Sequence, residues 1–203
     1  MADCDCEIEL KDSEQKTILY WLLGINFSMF FIEGGFGWYA HSTALIADSL
    51  DMLADAIVYG IGLYAVGRSA HHKSHAALLS GYFQAGLGIL ILTDIIRRIV
   101  VGHEPVSLFM MTVGCVALVA NVICLLLIQK HRNGEVHMRA SWIFSTNDVI
   151  ANVGVIVGGA IVWFTNTRWP DIVIGAVIAC IVLRGARRIM QDAKTSMPVP
   201  DEV

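Results

Sequence analysis

Charge is what this chain has least of. Only 16% of its 203 residues are Asp, Glu, Lys or Arg, against 56% hydrophobic, and the mean hydropathy is +0.62. A water-soluble domain carries about 25% charged residues, so this chain is built either for lipid or around one oversized core. The motifs of common enzyme classes are missing too. There is no HExxH, no GxSxG, no Walker loop and no Cys–His pairing within an apolar run. Without a phosphate loop an ATP-driven pump within this chain is excluded, and no enzymatic reading remains. No basic stripe invites nucleic acid, and the net charge of −4 is spread over loops and tails. The N-terminus, MADCDCEIELKDSEQK, lacks the basic leader of a secretory signal.

What is present is apolar sequence in long blocks, at 18–38, 43–66, 76–96, 106–128, 140–164 and 169–189. Each is about 20 residues, enough to cross a hydrocarbon layer about 30 Å thick. The last is interrupted by Arg184, whose stem can snorkel to the interface. The expected fold is therefore an all-α integral membrane protein of six transmembrane helices. The expected divisions are an N-terminal tail over 1–16, a transport domain over 17–190 and a short tail over 191–203. With both termini in the cytoplasm, the inner segments hold Lys11, Lys16, Arg68, Lys73, Lys130, Arg132, Arg139, Arg184, Arg187, Arg188 and Lys194. The outer loops then hold Arg97, Arg98 and Arg168. That asymmetry follows the positive-inside rule, and the expected location is a bacterial inner membrane.

Carboxylates break the apolar pattern. The run ALIADSLDMLADAIVYG (44–60) contains Asp48, Asp51 and Asp55. Each charged Asp at a helix centre costs about 2.5–3.5 kcal/mol on insertion scales, and such residues usually face the bundle interior and serve function. The spacing i, i+3, i+7 puts all three on one helical face, over about 10 Å of depth. The fifth run answers with FSTNDVIAN, which holds Ser145, Asn147, Asp148 and Asn152. Oxygen ligands one turn apart on two facing helices can enclose a small ion. Protons or a divalent cation must neutralise carboxylates held so close, and a cation that displaces protons on binding provides coupling. DMLADAIVYGIG (51–62) also echoes DVIANVGVIVGG (148–159). Repeats of three helices each would be inverted, as in many transporters.

These residues resemble the cation diffusion facilitators, proton-coupled exporters of zinc and related metals. Glu33 and Gly34 match the family's Glu-Gly late in the first span. Ala47, Asp48, Asp51 and Asp55 match its Ala-Asp-x-x-[His/Asp]-x-x-x-Asp, and Asp148 with Val153-Gly154-Val155 matches the fifth-span pattern. The resemblance implies a metal site of Asp51, Asp55 and Asp148. The family's fourth ligand falls on Phe144, which cannot bind metal and leaves open whether the site is weakened or retuned. Asn147 is taken as its substitute, although Asn152 and Ser145 are better placed angularly. An all-oxygen set suits harder ions, whereas imidazole favours zinc. The implied substrates are therefore zinc, cobalt, manganese or iron, exchanged for protons. No prosthetic group is expected.

The resemblance is to short members lacking the family's C-terminal cytoplasmic domain, so any homodimer would be held by the transmembrane helices. Membrane lipid is the other expected partner. The alternative function is a non-transporting metal-binding subunit or sensor with a degenerate site. Asn26, Glu33 and Asn121 read more naturally as interhelical hydrogen-bonding groups. His71, His72 and His75 form either a secondary metal site or a solvated loop. Cys4 and Cys6 form either a soft-metal pair or a chance pair. Cys115, Cys124 and Cys180 read as packing residues, and His41, His103, His131 and His137 as interfacial ones.

Overall fold

The computed structural model describes residues 2–39, 43–102, 107–167 and 169–197. They form six long helices and no strand: α1 (Ala2–Tyr39), α2 (Thr43–Ala65), α3 (Ala70–Arg97), α4 (Ser107–Ile128), α5 (Val136–Thr165) and α6 (Trp169–Thr195). A π-helical turn, Arg98–Gly102, extends α3, and a 3-10 turn, Gln129–His131, follows α4. α1 begins at Ala2, so the stretch expected as a tail over 1–16 is helical from its second residue and continuous with the first span. Of the tail expected over 191–203, residues 198–203 lie outside the described residues.

Helix ends follow local chemistry. Gly67 turns the chain after α2 with φ of 73°, a left-handed conformation open to glycine. Asn166 closes α5 the same way at φ 50°, and its backbone N–H donates to the Val162 carbonyl at 2.9 Å.

Among the described residues, four segments are long and apolar enough to cross a membrane by length and composition alone: Leu10–Phe36, Ala70–Val100, Met111–His131 and Val136–Thr165. α2 and α6 are the charged pair, the first with Asp48, Asp51 and Asp55, the second with Arg184, Arg187 and Arg188. Large apolar side chains such as Trp21, Phe31, Leu90 and Leu126 are exposed on the bundle surface, as lipid contact requires. Trp38, Trp163 and Trp169 are exposed at the end where α1 and α5 stop and α6 starts, the depth at which indole rings favour the membrane–water interface.

The helices pack chiefly as three pairs, α1 with α2, α4 with α5, and α3 with α6. This has the symmetry expected of two inverted three-helix halves: the first two helices of each half pair together, and the third helices meet each other. One core layer, centred on Leu19, Leu22, Tyr59, Cys124, Ile128 and Met138, joins α1, α2, α4 and α5. The α3–α6 contact is made by small residues. Ala77, Gly81, Gln84 and Gly88 are buried along α3 at spacings that repeat one face. A Cβ on Gly81 would lie 2.7 Å from Met190 Cγ, and one on Gly88 2.7 Å from Leu183 Cδ2. Small residues let helix backbones approach closely where no water drives association.

The end of the bundle that carries the Lys and Arg excess is clasped by polar contacts between helices. Lys73 Nζ donates to Glu135 Oε1 at 2.8 Å, and Lys11 approaches the same oxygen at 3.8 Å. Lys130 Nζ donates to Glu14 Oε1 at 2.7 Å, Arg139 pairs with Asp192 at 3.5 Å, and Ser74 Oγ donates to the Ser196 carbonyl at 3.0 Å. These contacts tie α1, α3, α4, α5 and α6 together at one level. Burial pushes the Glu135 carboxyl up, but the Lys73 hydrogen bond and the charges of Lys73, His137 and Lys11 outweigh it and hold it below its ordinary value of 4.5. A depressed carboxyl stabilises the fold above its unfolded value and loses that contribution as pH falls through its folded value. Glu135→Gln should therefore lower the thermal midpoint at pH 7 and shrink the acid-side loss of stability below about pH 4.5, read from melting curves at stepped pH.

Candidate metal-transport site

The faces expected from sequence do meet. Asp48, Asp51 and Asp55 of α2 and Asp148 of α5 line one cavity of about 160 Å³ together with Gln84, Asn121, Phe144 and Asn152. Its deeper wall includes Asp55, Phe144 and Val182, near the middles of their helices. Asp48, Leu90 and Ile91 extend it toward the end away from the Lys and Arg excess. One turn beyond Asp55, Tyr59 is fully buried in the apolar layer that joins α1, α2, α4 and α5.

Burial differs among the acids. Asp55 is 4% exposed, Asp148 and Asp48 are intermediate, and Asp51 is exposed. Asp55 and Asp148 lie within hydrogen-bonding reach of each other, close enough to share one proton. Asp48 stands in the same relation to Glu33 of α1. Apart from these carboxyl–carboxyl approaches, Oδ2 of Asp48, Oδ2 of Asp148 and both carboxylate oxygens of buried Glu33 have no donor among the described residues. Among the described residues, no Lys, Arg or His lines the cavity. Two like charges 4 Å apart repel by about 4 kcal/mol at an effective dielectric of 20. The column is therefore stable only when protons or a cation neutralise it.

Asn147 does not join this group. It is buried, but its amide lies against Gly185 of α6 and it is not among the residues that line the cavity. The helical offset that separates it from Asp148 is not undone by local unwinding, because α5 is regular through this stretch. Asn152 does line the cavity, one turn beyond Asp148. In the internal echo Asp148 and Asn152 take the places of Asp51 and Asp55, and all four face the same space. Ser145 is buried with its hydroxyl unpartnered and is not among the lining residues. Phe144 is 1% exposed and does line the cavity, occupying the fourth position as an apolar wall. Among the described residues, no three His, Cys, Asp or Glu converge closely enough to hold one ion in this conformation. Ligation by the whole set requires α2 and α5 to draw together.

The other sequence candidates separate clearly. Asn26 is an interhelical hydrogen-bonding group, donating to the Leu22 carbonyl at 2.9 Å and to Cys124 Sγ of α4 at 3.4 Å. Asn121 and Glu33, which also read as packing groups, belong instead to the acidic column or its wall. Gln84 had no sequence signal apart from being an amide in an otherwise small-residue helix face. His71, His72 and His75 occupy the first two turns of α3 rather than a loop. The rings of His71 and His75 are 4.3 Å apart, and His72 Nδ1 lies 2.8 Å from Ser69 Oγ. His131 and His137, expected as interfacial residues, are both buried. Cys124 is buried, while Cys115 and Cys180 are exposed on the helix surface. His41 and His103, and the side chains of Cys4 and Cys6, lie outside the described residues.

Comparison with known proteins gives a consistent picture. Residues 19–197 match the family model described as the cation efflux transmembrane domain. The chain is 24% identical over 196 residues to the zinc transporter ZitB of Yersinia pseudotuberculosis, covering 90% of this chain and 62% of that protein. It is 27% identical over 176 residues to the metal cation efflux system protein CzcD of Cupriavidus metallidurans, covering 80% and 56%. It is 22% identical over 176 residues to the cadmium, cobalt and zinc/H(+)-K(+) antiporter of Bacillus subtilis, covering 80% and 57%. The chain thus spans 56% to 62% of the length of these relatives.

Proposed function

This chain belongs to the cation efflux family, a family of transporters rather than enzymes, and from that premise we propose that it exports a divalent transition-metal cation across a bacterial inner membrane in exchange for protons. The observation that carries the reading is the cavity itself. Four aspartates line it with no cationic side chain to balance them, about halfway through a six-helix membrane bundle. Asp51, Asp55 and Asp148 are the proposed ligands. The names of the three relatives support zinc, cadmium or cobalt as cargo. The oxygen-only lining extends the candidates to manganese and iron.

The chemistry of exchange follows from the shared oxygens. A metal and protons compete for the same carboxylates, so metal entering from the cytoplasm displaces protons, and protons entering from outside displace metal. Asp55 and Asp148, in proton-sharing contact, are the pair most directly switched between the two. The α3–α6 pair and the remaining four helices are the bodies whose rocking would alternate access.

Uptake of zinc, cobalt, manganese and iron(II) into inside-out vesicles, with and without an imposed pH gradient, tests this reading. Gradient-dependent uptake that Asp51→Ala impairs is the expected result. Binding of metal without uptake of any of the four would identify a sensor or accessory subunit instead. Flux that ignores the gradient and survives Asp51→Ala would identify a channel.

A further inference from the structure

The cavity wall holds two neutral amides whose oxygens have no hydrogen-bond donor. Gln84 of α3 is 1% exposed and Asn121 of α4 is 4% exposed. Both line the cavity, and both Gln84 Oε1 and Asn121 Oδ1 are buried without a partner. Buried acceptors are normally satisfied, because leaving one empty forfeits its hydration with nothing in return. Here the unsatisfied acceptors share one space with carboxylates, which are acceptors themselves. Nothing in the wall supplies a positive charge. A bound cation would satisfy carboxylate and amide oxygens at once.

Packing alone gives no reason for Gln84. It lies on the buried face of α3 between Gly81 and Gly88, where the close approach of α6 favours small residues. Gly185 of α6 supplies the room: a Cβ there would lie 3.2 Å from Gln84 Nε2. The amide group of Gln84 thus sits between the cavity and α6. Asn147 rests on the same glycine, yet its Nδ2 also lacks an acceptor, so it does not donate to Gln84 Oε1.

We propose that Gln84 and Asn121 are neutral oxygen ligands of the transported ion, completing with Asp55 and Asp148 an all-oxygen site and supplying from α3 and α4 what Phe144 withholds on α5. The inference rests on reading the cavity as the transport site. Its consequence is selectivity. Carbonyl and carboxylate oxygens suit harder divalent ions such as manganese, whereas a nitrogen ligand would favour zinc. A ligand on α3 also couples ion binding to the α3–α6 pair, which holds none of the carboxylates that line the cavity.

The test is direct titration of the purified full chain with manganese(II) and with zinc(II), alongside its metal-free melting temperature. Gln84→His should shift the manganese-to-zinc affinity ratio toward zinc by roughly 10-fold or more, and Asn121→Leu should weaken manganese binding by roughly 10-fold. Gln84→Glu, nearly isosteric, should tighten manganese binding and keeps the test valid if the histidine variant folds poorly. A merely structural role would lower melting temperature and move both metals together, leaving their ratio unchanged. An unchanged ratio in Gln84→His, with manganese affinity unchanged in Gln84→Glu and Asn121→Leu, overturns the inference. If Asp55→Asn still abolishes binding in that case, the transport-site reading stands without it. Full manganese binding by Asp55→Asn removes both.

Discussion

Asp55→Asn should abolish metal uptake in inside-out vesicles, by at least about 100-fold, which is beyond the 10–100-fold typical of residues that merely orient a ligand. Asparagine keeps the volume and one oxygen but removes the charge and the shared proton. Asp55 is the most buried of the lining acids and faces Asp148 directly, so its loss removes both a ligand and half of the proton-sharing pair. Asp148→Asn should do the same. Asp51→Asn should be milder, because Asp51 is less buried than Asp55 and is not in the Asp55–Asp148 contact. The metal-free variant Asp55→Asn should be at least as thermally stable as the parent. Removing one member of a buried like-charge group relieves a cost, and functional sites commonly trade stability for activity. Loss of uptake with unchanged or higher melting temperature is the signature of a ligand. Loss of both together would mark Asp55 as structural, and retained uptake would remove it from the mechanism.

Gly81→Leu should be the most damaging single change away from the carboxylates. A Cβ at this position meets Met190 Cγ at 2.7 Å, Ile189 Cγ2 at 3.2 Å and the Met190 backbone nitrogen at 3.3 Å. The side chain of Met190 can turn away, but the backbone of α6 can yield only if the two helices separate. Overpacking of this kind costs about 1–3 kcal/mol, and more when the backbone must move. The layer beneath it, Ala77 with Ala140, Ile143, Ile189 and Ala193, joins α3 and α6 to α5 and would be disturbed with it. Thermal melting in detergent should show a large drop in midpoint. Gly86→Leu, on the same helix with nothing within 4 Å of its Cβ position, should be nearly silent. Since leucine is the better helix former at both positions, an equal drop at the two would mean that the α3–α6 contact is not responsible.

The helices were legible because lipid imposes one rule on every span. Backbone groups must be satisfied within the segment, so apolar length alone marks a membrane helix. The acidic face of α2 was equally plain, since three aspartates at i, i+3 and i+7 share one side of a helix whatever surrounds it. Asp148 was found by the same reasoning. Asn147 shows where one-dimensional logic stops. Its nearness to Asp148 in sequence made it the substitute for the fourth ligand, yet its angular offset carries it to Gly185 of α6.

Composition and periodicity thus determined that this chain crosses the membrane repeatedly, which end carries the positive charge, and which carboxylates face inward, because those properties belong to single helices in a uniform solvent. Only the tertiary structure decided which polar side chains share a space with them. Gln84 and Asn121 look like ordinary packing amides in sequence, and their place beside the aspartates depends on α3 and α4 meeting α2 and α5 at one depth. That meeting is set by glycines on neighbouring helices, whose close approach no single helix encodes.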